Sequence, residues 1–114
     1  MSRRLFIAML GFSLALFLMP QISLAEEDHI DEAIKHTKQA IVQGHAGHTD
    51  SFLGHAKEAL VEARAAENAN ANPHTEEAIT HLDRAIAESK QGHGAAGTTQ
   101  AEVALEHLYL ATLN

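Results

Sequence analysis

Apolar residues recur at helical spacing along most of the chain. Ile30, Ala33/Ile34, Thr37 and Ile41 fall on one stripe of a helix over about 28–43. Asp28 fits its N-cap, Asp31 adds negative charge to its first turn, and Gly44 fits its stop. Phe52/Leu53, Ala56, Leu60 and Ala63 mark a second helix, capped by Thr49 or Asp50 and reaching about residue 67. Residues 68–72 alternate Asn and Ala and lead into Pro73. They read as a linker, with Asn72 as N-cap and Pro73 at the first position of a third helix. That helix extends to about residue 91 with Ile79, Leu82 and Ile86 inward. Gly92-His93-Gly94-Ala95-Ala96-Gly97 reads as a longer turn. Thr99-x-x-Glu102 is a capping box opening a fourth helix, with Ala101, Ala104/Leu105, Leu108 and Ala111 inward. No segment alternates like a strand.

The pattern repeats. His29-x-x-Glu32-Ala33-Ile34-x-His36 returns as His74-x-x-Glu77-Ala78-Ile79-x-His81, and Ala40-Ile41 as Ala85-Ile86. The longer second turn shifts the register after that point. Short connections force antiparallel neighbours. The prediction is an all-α, up-down-up-down four-helix bundle made of two repeated helical hairpins, with a small, alanine-heavy core.

The first twenty-five residues differ in kind. Arg3 and Arg4 precede an apolar run over 5–19, then Pro20, then Ser23-Leu24-Ala25 before an acidic stretch. This is the form of an export signal cleaved after Ala25. The run is short of the roughly 20 residues a spanning helix needs. The expected organisation is a signal peptide over 1–25 and a His-rich bundle over 26–114, periplasmic or secreted, with no membrane association after cleavage and monomeric.

Without the leader, six basic residues face fifteen acids, a net charge of −9 with His neutral. Nucleic acid demands a basic face and is excluded as a partner. The chain has no Cys, which removes disulfides, thiolate zinc sites and thiol nucleophiles. All nine His lie after residue 25, and a His-rich tract points to metal.

On a helix His29, Glu32 and His36 form a ladder, and so do His74, Glu77 and His81. Residues seven apart stand roughly 10 Å apart along the axis, too far to share one ion. Counting back from the turns places His36 level with His55, and His81 level with His107. Two quasi-equivalent groups follow: Glu32/His36/His55 and Glu77/His81/His107. His45, His48 and His93 belong to the turns, at the other end from His29 and His74. Nitrogen and oxygen donors without sulfur favour Cu(II), then Ni(II) and Zn(II). Binding should weaken as pH falls through about 6, where imidazole protonates.

Enzymatic readings lack their residues. A di-iron bundle needs paired Glu-x-x-His on two helices, and only Glu26-x-x-His29 fits. No nucleophile–base constellation is present. The alternative from another class is a periplasmic stress- or pH-responsive interaction bundle without a physiological metal.

His-x-x-Glu-Ala-Ile-x-His, the Gly44-His45-Ala46-Gly47-His48 turn and His55-Ala56-Lys57-Glu58-Ala59-Leu60 together resemble the periplasmic small metal-binding proteins. The resemblance covers residues 26–114. It implies a His-rich four-helix bundle that binds several ions, prefers Cu(II), accepts Ni(II) and Zn(II), and buffers or sequesters metal in the periplasm. It carries over to His29, His36, His45, His48, His55, His74, His81, His93 and His107. Thr98 aligns with His48 under the longer second turn, which implies weaker binding by the second hairpin.

Overall fold

Proline in the first turn of a helix loses no hydrogen bond, because the first N–H groups have no intrahelical acceptor. The computed structural model describes residues 19–113, and its first helix, α1, spans Met19–His45 with Pro20 in the opening turn. The start expected at Asp28 is therefore wrong: no breaker separates Pro20 from residues 28–43, and the helix runs through. The basic start and most of the apolar run of the expected leader, residues 1–18, lie outside the described residues. No helix among the described residues is long and apolar enough to cross a membrane.

Helix α2 spans Thr49–Ala69, α3 spans Pro73–Lys90 and α4 spans Gly94–Thr112. Each hairpin pairs closely, α1 along α2 and α3 along α4. The hairpins then meet through α1 against α4 and α2 against α3. This is the up-down-up-down order around a square. The α1/α2 face and the α3/α4 face are on opposite sides of it.

The second turn is not longer than the first, and α4 does not open at Thr99. Gly47 has φ +78° and Gly92 has φ +86°, and each supplies the left-handed residue that ends a helix. The residue after each glycine, His48 or His93, becomes the next N-cap. Its backbone N–H reaches back to Gln43 O or to Glu88 O at 2.9 Å in both turns. Thr98 and Thr99 lie inside α4, with hydroxyls donating to Gly94 O and Ala95 O one turn back. The repeat offset therefore stays at forty-five throughout: Ala33, Ala40, Ala56 and Ala59 match Ala78, Ala85, Ala101 and Ala104, all fully buried. His93, and not Thr98, is the counterpart of His48.

Alanine outnumbers every larger residue in this core. The larger residues are placed asymmetrically. Phe52 is buried, and its counterpart is Gly97. Gly97 packs so closely on α3 that a Cβ there would overlap Ser89 Oγ and stand 2.9 Å from Ala85 O. Gly44, expected to stop α1, is helical instead; a Cβ on it would strike Thr98 Oγ1 and come within 3.0 Å of Phe52 Cδ2. Gly44 makes room for Phe52 and Thr98, and Gly97 lets α4 close on α3. The stripe positions Ile30, Ile34, Ile41, Leu53 and Ile79 pack on the edge of this core, partly buried.

Candidate metal centre

The histidines stand outside the alanine core, along the seams where hairpin partners meet. In the first hairpin His36 of α1 faces His55 of α2, with ring centroids 5.9 Å apart and planes 24° from parallel. Glu58, one turn beyond His55, brings a carboxylate oxygen to the pair. One ligand atom from each of His36, His55 and Glu58 lies within 4.8 Å of the others. Glu32, the acid expected here, approaches the opposite side of the ring, its Oε2 3.6 Å from His36 Nε2. The acid of the compact group comes from α2 instead, because His55-x-x-Glu58 places both side chains on one face of that helix.

Burial gives this group its chemical character. The Nδ1 atoms of His36 and His55 are both buried, and neither makes a hydrogen bond. Glu58 Oε2 is 3.1 Å from His36 Nδ1, but not in line for the ring nitrogen to bond it. A buried nitrogen left without a partner costs about 1–3 kcal/mol. The two facing imidazoles and the carboxylate offer nitrogen and oxygen donors to one point. Imidazole nitrogen and carboxylate oxygen fit a borderline divalent cation.

In the second hairpin Glu77, His81 and His107 likewise bring one ligand atom each within 4.8 Å of the others. The His81 and His107 rings are 5.6 Å apart and nearly parallel, at 6°. The two residues are not level along the bundle. With the shorter turn, the residue level with His81 is Gln100, whose Oε1 is 2.8 Å from His81 Nδ1. A histidine held this way through Nδ1–H to a carbonyl is left with Nε2 free to ligate. Glu77 Oε2 lies 3.9 Å from that Nε2. His107 is level with His74, and their Nδ1 atoms are 3.3 Å apart.

The remaining histidines do not join either group. His29 Nδ1 meets Glu62 Oε2 at 2.6 Å on the α1/α2 seam. His48 and His93 fold back on Gln43 Oε1 and Glu88 Oε2, both at 2.9 Å, and so tie down the two turns. His45 reaches across to α4, its Nε2 3.9 Å from Glu102 Oε2, beside the cleft lined by Gly44, Thr98 and Thr99.

Reading from the sequence missed Glu58, Glu62 and Gln100. His-x-x-Glu over 55–58 is a visible signal for the first. The other two become visible only once the repeat offset is held at forty-five, which aligns Gln100 with His55 and His107 with Glu62.

Comparison against curated proteins returned no match. A family described as small metal-binding protein matches residues 3–111, nearly the whole chain. With two groups of facing imidazoles and a carboxylate on its helical seams, this chain belongs to the small metal-binding protein family.

Proposed function

We propose that the protein is an exported, non-enzymatic buffer for divalent transition metals, with Cu(II) preferred and Ni(II) and Zn(II) accepted. The unpartnered, buried Nδ1 atoms of His36 and His55 carry this reading. The two rings are grouped with Glu58, which supplies negative charge. The Glu77/His81/His107 group supplies a second position on the opposite side of the bundle.

The order of preference comes from donor chemistry. Neither group contains sulfur, and nitrogen-rich sites follow the Irving–Williams order, with Cu(II) at its head. Three protein donors per group leave coordination positions open to water. That suits an ion held and released better than one locked in place. Export is supported by the basic, apolar and small-residue succession over 1–25. The mature chain, residues 26–114, acts as a monomer in the periplasm or outside the cell.

Isothermal titration of residues 26–114 with Cu(II), Ni(II) and Zn(II) at neutral pH tests this. The expected order of affinity is Cu(II) above Ni(II) and Zn(II), with the tightest copper lost in His36→Ala and His55→Ala variants. Equal affinity of these variants and the unaltered chain for copper would overturn the assignment of the first group. Fractionating cells that express the full chain tests export.

A further inference from the structure

The seam of each hairpin has two rungs. In the first hairpin one rung is His36 with His55, and the other is His29 with Glu62. In the second, the corresponding rungs are His81 with Gln100 and His74 with His107. The partner histidine has moved by seven residues, about 10 Å along the helix. His29 and Glu62 satisfy each other at 2.6 Å. His74 and His107 are two imidazoles whose Nδ1 atoms share one hydrogen bond, one ring donating and the other accepting, with centroids 5.5 Å apart and planes at 28°.

Two nitrogens bound to one tetrahedral ion at 2.0–2.1 Å stand about 3.3 Å apart. The His74 and His107 Nδ1 atoms are separated by 3.3 Å. Their backbones are held. Asn72 caps α3 by accepting from His74 N–H at 2.8 Å, and its own amide reaches Ala111 O at 3.5 Å in the last turn of α4. His107 also stacks on His81 and belongs to the Glu77/His81 group. His74 and His81 are two turns apart on α3 and cannot share an ion, yet His107 touches both.

We propose that His107 bridges two adjacent metal positions: Nδ1 serves an ion shared with His74, and Nε2 serves an ion shared with His81 and Glu77. This rests on the metal-buffering reading above. The first ion takes the lone pair of a neutral imidazole. Binding of the second at the other nitrogen displaces that nitrogen's proton to solvent. The ring then carries one negative charge between two cations and offsets their repulsion. Both ions keep their oxidation state. The first hairpin has no such bridge, since Glu62 stands where His107 would be and His55 faces His36 alone.

Copper(II) reports a bridge of this kind directly. Two Cu(II) ions joined through one imidazolate couple antiferromagnetically and lose resonance intensity at low temperature. The full chain is saturated with Cu(II), bound copper is measured by elemental analysis, and unpaired spins by double integration of the paramagnetic resonance spectrum. The expected spin count falls short of the bound copper. His74→Gln restores equality and lowers the copper bound, whereas His29→Gln, the same position in the other hairpin, leaves the deficit unchanged. His107→Gln also abolishes the deficit, with helix content followed by circular dichroism to confirm folding. Bound copper with a full spin count in the unaltered chain overturns the bridge and leaves metal buffering standing. A deficit that survives His74→Gln also overturns it. Failure to retain any copper removes both readings.

Discussion

Gln100 stands in α4 where His55 stands in α2, and each faces the histidine of the adjoining helix in its own hairpin. One position therefore offers a candidate ligand in the first half of the chain and a hydrogen-bond acceptor in the second. Gln100→Ala removes the bond that orients His81. Losing such an outer partner typically costs 10–100-fold in metal affinity. Titration calorimetry should show that loss at the second group only, with the His36/His55 group unchanged.

The converse substitution adds capacity. Gln100→His places an imidazole opposite His81, as His55 stands opposite His36. The variant should bind more Cu(II) per chain at saturation than the unaltered protein, measured by equilibrium dialysis and elemental analysis. Unchanged capacity would mean that a pair of facing rings is not enough without an acid in the position of Glu58.

Metal should stabilise the fold by mass action. Free Cu(II) at about one hundred times its dissociation constant adds about 2.7 kcal/mol per site. Thermal melts followed by circular dichroism should show Tm rising with copper and returning when a chelator is added. Acid should reverse the gain as well, because imidazole must be neutral to ligate and titrates at about 6.5 when unperturbed. The copper-dependent rise in Tm should be present at pH 7.5 and largely gone by pH 5.

Gly97 tests the packing that carries the seams. Gly97→Ala drives a methyl group into Ser89 and the Ala85 carbonyl. Overpacking of this kind costs about 1–3 kcal/mol. Gly54→Ala is the control, since a Cβ there meets nothing within 4 Å. It should be neutral or slightly stabilising, as alanine is the better helix former by about 1 kcal/mol. Denaturant midpoints of the two variants should move in opposite directions from the unaltered chain, or Gly54→Ala should stay level.

The four helices were legible because their apolar stripes are regular and the Asn72-Pro73 start is unambiguous. The second turn was not, because Gly92-His93-Gly94-Ala95-Ala96-Gly97 looks like loop composition. The close approach of Gly97 to Ser89 and Ala85 accounts for glycine at that helical position, and it becomes visible only in the folded chain. Asp28 has the chemistry of an N-cap, yet α1 begins at Met19, with Pro20 accommodated in its first turn. The Glu77/His81/His107 group was reached by counting from a turn assumed too long; His107 nonetheless reaches His81 with its side chain, from a lower level on α4. Glu58 was passed over in favour of Glu32, since helical spacing within one strand of the ladder says nothing about which acid the facing helix will offer.

The buried faces of the four helices are made from alanine, a few larger apolar residues and the hydroxyl residues Thr37, Thr75, Ser89 and Thr98, and the candidate metal groups stay outside them. Filling or emptying a rim site leaves those contacts in place. On the buffering function proposed above, an ion could therefore enter or leave by exchange of ligands at the rim without unpacking the bundle.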